Sequence, residues 1–363
     1  MRWNQSRDVA QRFPALISWR TIGFFAAAGL LAASLTSCGP RPDVLTLVVE
    51  VPAASISKLP FVIAKEQGLY AKHGLDVDLR LPADESAAKK LWLRGVRKLT
   101  GTQAVDVRID GHGPAIVLLS RGQLSPWHVS LASTDCSVRY YVIARHGIDR
   151  LEDLSGRRLG VGVDYSTAGF AALRLVQRMG WVRDKDITLV PSAGFAELKA
   201  GTVDATVGGD EAIESAEKAG YKVLLDTREW GEELTGNSVL VAPGWLDEGT
   251  HREAARRFLR SVVEAVALFH ERPEIAIDAM ERWQRTTDHT LVKKRYARSD
   301  YVPRKPYPCS RGVRATMNLY DSAAMRKHTP EDFYDDSLMR ELDQSGFIDG
   351  AYSRLSASDK PRP

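Results

Sequence analysis

Hydroxyl, carboxylate and aromatic side chains gather at four places along this chain: Ser55-Ile56-Ser57, Asp110-Gly111-His112-Gly113, Asp164-Tyr165-Ser166-Thr167 and Asp210-Glu211. Each follows a strand-like run and precedes a helix-like one. The first turn of a helix carries unpaired N–H groups and partial positive charge, so these junctions suit an oxyanion or a carbonyl oxygen. Ser55, Ser57, Ser166 and Thr167 add hydroxyls that both donate and accept. Tyr165 adds a ring and a hydroxyl, and Trp127 or Trp230 offers a stacking face for a planar ligand. Every one of them has a plainer use. Ser57, Ser166 and Asp210 suit helix N-caps, Gly111 and Gly113 suit a turn, His112 suits a solvated turn, and the two tryptophans suit packing.

The carboxylates bear on ligand type. Glu50, Asp110, Asp164, Asp210 and Glu211 all fall at predicted carboxyl ends of strands, where Lys and Arg look scarce. Like charges in a dehydrated cleft repel, so such a ring disfavours a bare anion and favours an amine-bearing or nitrogen-heterocyclic molecule. No GxSxG, HExxH, Walker lysine loop, CxxC or His/Cys cluster occurs, so no catalytic constellation, metal site or cofactor is expected.

The positioning elements follow from pattern. Leu45–Val51 is a dense β-branched run and Leu75–Leu81 alternates strictly, both reading as strands. Between them lies a helical stripe that Gly74 stops. Ala87–Leu93 is expected to be helical. Further strands are predicted at Val105–Ile109, Val129–Ser133 and Val138–Ala144, with a helix at 114–120. From Leu151 strand and helix alternate again, with helices at Ser166–Met179, Phe195–Ala200 and Glu211–Ala219. Strands fall at Ile187–Val190, Asp204–Val207, Lys222–Leu225 and Ser238–Ala242. Beyond Arg252 the pattern is helical at 252–271, 273–283, 288–298, 313–327 and 335–345, and the tail SASDKPRP has a disordered composition. Alternating β and α predicts two mostly parallel sheets wound with helices, joined near 140–145 and 238–242, with the ligand site between them.

The 363 residues carry a net charge of +4, of which the first 37 contribute +3. The remainder is nearly neutral, which gives no support to nucleic-acid binding. Polar residues with spaced arginines precede the uncharged run Thr21–Ser37, the tripartite arrangement of an export signal. Leu35-Thr36-Ser37-Cys38 resembles a bacterial lipobox. That resemblance implies cleavage after residue 37, acylation of Cys38, and a protein exported and anchored to the cell membrane. Cys136 and Cys309 are left, either as one disulfide or as two buried thiols.

Four stretches in order resemble one family, the solute-binding proteins of ABC importers that handle nitrate, sulfonates, taurine and thiamine-pyrimidine precursors. They are LPFVIAKEQGLYAKHGLDVDLRL (59–81), LEDLSGRRLGVG (151–162), ELKAGTVDATVG (197–208) and REAARRFLRSVVEAVALFHERPEIAI (252–277). Residues 88–105 and 285–312 depart from the family pattern. The resemblance implies an α/β, two-lobed periplasmic-binding-protein fold with a double-strand hinge and C-terminal helices completing lobe 1. The expected division is a signal at 1–37, a tether at 38–44, lobe 1 at 45–140, lobe 2 at 141–241, the rest of lobe 1 at 242–352 and a disordered tail at 353–363. It further implies a non-enzymatic monomer that captures a small-molecule solute and hands it to an ABC permease and ATPase. A sensor docking on a receptor or kinase is the alternative, as is import of a sulfonate- or taurine-type anion. The expected ligand residues are Ser55, Ser57, Asp110, His112, Asp164, Tyr165, Ser166, Thr167, Asp210 and Glu211.

Overall fold

The computed structural model describes residues 43–52, 55–80, 104–163, 166–284 and 286–358. The expected lipidation site Cys38, the helix at Ala87–Leu93, and Asp164 and Tyr165 lie outside them.

The chain enters through strand β1 (Leu45–Glu50), helices α1 (Leu59–Glu66) and α2 (Leu69–Lys72), and strand β2 (Leu75–Arg80). Gly68 and Gly74 bracket α2 at φ of +66° and +71°. This left-handed backbone suits glycine, so one apolar stripe becomes two helices and then a strand. Strand β3 (Val107–Gly111), helix α3 (His112–Ser120) and strand β4 (Val129–Ser133) complete the first passage. The chain then builds a second sheet from β5 (Tyr141–Ala144), β6 (Arg158–Gly160), β7 (Thr188–Val190), β8 (Ala205–Gly208) and β9 (Lys222–Asp226). Helices α4 (Thr167–Arg178), α5 (Phe195–Lys199) and α6 (Asp210–Ala219) alternate with these strands. Strand β10 (Asn237–Val241) returns to the first sheet. Helices α7 (His251–Glu271), α8 (Pro273–Gln284), α9 (His289–Ala297), α10 (Ser310–Leu319), α11 (Ser337–Gln344) and α12 (Phe347–Ser358) follow.

The sheets run in the orders β2-β1-β3-β10-β4 and β7-β6-β8-β5-β9. Each is parallel apart from one strand: β10 is antiparallel to β3 and β4, and β5 is antiparallel to β8 and β9. The long helix α7 buries Phe258, Leu259, Val262, Val263, Val266 and Phe269 in the core of the first sheet. Phe258 stacks there between Phe61 and Tyr70. The second sheet has its own core, in which Phe170 and Leu175 of α4 meet Leu159, Val161 and Val207.

Three boundaries differ from expectation. The stretches near 140–145 and 238–242 are strands inside the sheets, and the connections are the segments just before them, 134–140 and 227–236. These connections pair with each other. The Leu234 N–H donates to the Cys136 carbonyl, the Thr134 N–H donates to the Asn237 carbonyl, and Ser137 bridges Glu233. β10 belongs to the first sheet. The helix expected over 313–327 spans only Ser310–Leu319. The tail expected to be disordered from 353 is helical through Ser358, because Ile348 and Ala351 of α12 dock into the first core beside α7. That burial outweighs the polar composition read from sequence.

The two cysteines are joined: Cys136 on the first connection is bonded to Cys309, the residue preceding α10. Glycine makes this packing close. A methyl group on Gly236 would overlap the Asp135 carbonyl, and one on Gly312 would overlap the Leu234 backbone.

Candidate functional site

The carboxyl ends of β1 and β3 and the start of β10 form one wall of a cleft. Ser55 precedes the single-turn helix Ile56–Lys58 after β1 and Ser57 lies within it, their hydroxyls 3.1 Å apart. Neither caps that turn. Both accept from the Nδ2 of Asn237, at 3.2 Å in the case of Ser55. Asn237 was not expected at the site. It opens β10, and only the antiparallel return of that strand brings it here.

The acids of this wall are not bare. Arg108, 5% exposed, donates from Nη1 to Glu50 at 2.8 Å and from Nε to Asp110 at 3.2 Å. Lys58, 2% exposed, stands 3.7 Å from the other Asp110 oxygen, which also accepts from the Gly111 N–H at 2.8 Å. Burial pulls the Lys58 ammonium below its usual range, and the Asp110 charge works against that pull. The expectation that cations are scarce at these strand ends is therefore corrected. The period of two along β3 puts Arg108 on the same face as Asp110, a signal present in the sequence. Trp127 lies with the Arg108 guanidinium 5.6 Å from its ring.

His112 begins α3 but is fully buried, its Nε2 donating to the His128 carbonyl at 2.8 Å. Burial lowers its pKa to about 4, so the ring is neutral at pH 7. It is not the solvated turn residue of the plainer reading. Gly113, the next residue, faces the second connection, where an added methyl would crowd the Thr235 hydroxyl.

On the opposite wall Ser166 caps α4, its hydroxyl accepting from the Gly169 N–H at 3.0 Å. Thr167 is the first residue of that helix. Gly113 and Pro114 of α3, Ser166 and Thr167 of α4, Thr235 of the second connection and Thr316 of α10 line a common narrow recess, together with the apolar Val117, Phe170 and Leu234. The junctions of α3 and α4 thus meet across the lobes. Trp230, on the second connection, packs against the second core, with the Arg178 guanidinium 5.2 Å from its ring.

Asp210 is the first residue of α6. The N-cap is Gly209, and no side chain bonds there. Its carboxylate instead accepts from Nη1 of Arg139 at 3.3 Å. Glu211 follows on the same helix turn. Arg139 lies on the first connection, 3.6 Å from Asp135 and over the ring of Tyr301 at 3.0 Å. Its Nε is buried with no partner among the described residues, as is the hydroxyl of Thr134 five residues earlier. Burial raises the Asp135 pKa, while Arg139 and Ser137 work to lower it. Neither Arg139 nor Tyr301 stands out in the sequence, because both lie in segments without periodicity.

Among the described residues no group of three or more His, Cys, Asp or Glu could hold a metal ion, and no helix is long and apolar enough to cross a membrane.

The profile of the family described as "NMT1/THI5 like" matches residues 56–276, more than half of the chain. The taurine-binding periplasmic protein of Escherichia coli K12 is 24% identical over 202 residues, which cover 53% of this chain and 61% of that protein. Among solved structures, a Bordetella bronchiseptica RB50 protein superposes with a TM-score of 0.61 at 19% identity, covering 83% of this chain and 97% of that one. A putative periplasmic sulfonate-binding protein from Methylobacillus flagellatus KT gives 0.60 at 17% identity, covering 88% and 98%. The periplasmic nitrate-binding protein of Synechocystis PCC 6803 gives 0.59 at 14% identity, covering 84% and 89%. The two-sheet architecture is that of periplasmic binding proteins, and three of these four relatives are named for binding taurine, sulfonate or nitrate.

Proposed function

The chain belongs to the NMT1/THI5 like family, and from that premise we propose that it is the extracytoplasmic solute-binding component of an ABC importer. The observation that carries this reading is the meeting of strand-to-helix junctions from two separate cores around one cleft, behind a two-stranded connection. Such a connection lets two rigid bodies rotate about a few residues and enclose a small molecule. A permease and its ATPase then receive the closed form.

The proposed ligand is a small polar molecule that carries nitrogen. With Glu50 and Asp110 answered by Arg108 and Lys58, the remaining described charges are Asp135 and Asp210 against Arg139. That leaves one acid in excess, which suits an amine or a ring N–H. The starts of α3 and α4 suit an oxyanion at the other end. A zwitterion such as an aminosulfonate satisfies both, in keeping with relatives named for taurine, sulfonate and nitrate. Ser55, Ser57, Ser166, Thr167 and Asp210 are the proposed contacts, together with Asp164, Tyr165 and Glu211. The lobe limits that follow are 45–133 with 237–358 for the first and 141–226 for the second.

Export and anchoring complete the proposal, with Cys38 acylated after cleavage at residue 37. Cys38→Ala is expected to release or misprocess the protein, and unchanged mass and membrane fractionation would remove the anchor from the account.

The ligand test is a thermal-shift screen of stripped protein against taurine, alkylsulfonates and nitrate on one side and pyrimidines, amines and amino acids on the other. A ligand at about a hundred times its Kd adds roughly 2.7 kcal/mol, a shift of a few degrees. Response to zwitterions or amines, weakened by Asp210→Asn, supports the assignment. Response to bare anions alone, indifferent to Asp210→Asn, refutes the nitrogen-bearing class.

A further inference from the structure

Helix α6 belongs to the second lobe, since Ile213 and Ala216 sit in its core. Its outward acids fall at Asp210, Glu214 and Glu217, spaced by four and three residues and therefore on one face. Each meets a cation from outside that lobe. Asp210 meets Arg139 of the connection. Glu214 is held at both oxygens by Arg295, at 3.0 Å and 2.9 Å. Glu217 meets Lys294 at 3.0 Å and Arg298 at 3.3 Å. Those three cations are on or just after α9, whose Val292 is buried in the core of the first lobe. The Arg295–Glu214 pair is sheltered, with side chains 19% and 10% exposed.

The strip therefore crosses from one lobe to the other, running away from the cleft along a single helix face. We propose that it is a clasp: α6 docks on α9 through Glu214 and Glu217, and this ionic contact holds the lobes together independently of any solute. Two-pronged arginine–carboxylate contacts need both groups in one geometry, so rotation of the lobes breaks them together. Apparent affinity for a solute scales with the fraction of molecules already closed. Residues that never touch the solute would then set how tightly it is bound, and ionic strength would tune that setting. The clasp draws its purpose from the proposed binding role, but its test uses no solute and so stands or falls separately.

The test is single-molecule energy transfer on the full chain, with click-reactive residues for fluorophores at the exposed positions Gln123 and Lys185, one in each lobe. Salt is raised from about 0.01 M to about 1 M, which shortens the screening length from roughly 30 Å to roughly 3 Å. The expected result is a lobe distance that is uniform at low salt and shifts toward a second value at high salt. Glu214→Arg is expected to show the second value at low salt, with the closed-to-open ratio lowered about tenfold or more. Adding Arg295→Glu to Glu214→Arg reverses the pair and is expected to recover the first value. Glu217→Gln, a milder change, is expected to lie between. An unchanged distance in Glu214→Arg at a wild-type melting temperature overturns the proposal. So does failure of the reversed pair to recover, since that result assigns the change to misfolding of α6 rather than to a lost contact.

Discussion

The bond between Cys136 and Cys309 closes a loop across 173 residues of sequence, a span that contains the whole second lobe. Removing a cross-link frees the unfolded chain far more than the folded one. For a loop of this length the chain-entropy relation gives about 5 kcal/mol at 25 °C. Unfolding entropy is roughly 2.1 cal/mol/K per residue, so over the compact unit Pro42–Pro363 the loss lowers Tm by about 8 °C. The perturbation is the double variant Cys136→Ala with Cys309→Ala, compared with wild-type protein before and after reduction. Urea unfolding followed by circular dichroism and by tryptophan fluorescence reads both the midpoint and the slope. The midpoint is expected to fall and the slope to rise, because the uncrosslinked chain exposes more surface when unfolded. A Tm change below about 2 °C, with thiol titration proving the bond absent, would refute the loop-entropy reasoning. It would mean that the paired connections already restrain the chain as firmly as the sulfur bridge does.

Three further outcomes are expected. The Glu264 carboxylate is opposed by burial but bonded by His73 and Lys72, which hold its pKa at about 2. Its contribution is complete above the ordinary carboxylate range of about 4.5 and is lost as pH falls toward 2, so Glu264→Gln should flatten Tm against pH in that window. His112 behaves as a base kept neutral by burial, at about 4. The unfolded chain takes up its proton first, so stability drops by about 3 kcal/mol as pH falls from roughly 6.5 to 4. His112→Gln should remove that share of the slope in urea titrations at several pH values. Gly312→Ala forces a methyl into the Leu234 backbone and should cost about 1–3 kcal/mol, while Gly122→Ala, with open space around it but φ of +72°, should cost about 1 kcal/mol.

Most strands and helices were legible because their apolar positions repeat at two or at 3.6 residues. Leu75–Arg80 alternates cleanly, and α4 begins at the serine that caps it. What sequence hid was partnership across long separations. Glu50 and Asp110 read as acids lining a cleft; Arg108 beside Asp110 was readable from the period of two, but its bond to Glu50, 58 residues away, is visible only once β1 and β3 are paired. Asp210 read as a cap, but the helix start falls one residue earlier in role, at Gly209, and leaves the carboxylate to Arg139. Asn237 drew no notice, because the strand leading out was expected only from Ser238. It is the donor that joins the two serines, because that strand turns back between β3 and β4.

That return has a consequence for the order in which the molecule can assemble. Among the described residues β4 pairs with a single strand, β10, which lies between it and β3. A chain emerging from its N-terminus can pair β1, β2 and β3 early, and the second sheet is complete by Asp226. The segment at β4, by contrast, waits through more than a hundred residues of synthesis for residues 237–241 to arrive. The second lobe is an uninterrupted insert that can fold while its host is still open-edged. A chain cut short before β10 should therefore keep a formed second lobe attached to a first lobe whose edge is exposed. Quality control during export would meet this protein's vulnerable form there, in nascent chains ending between β9 and β10.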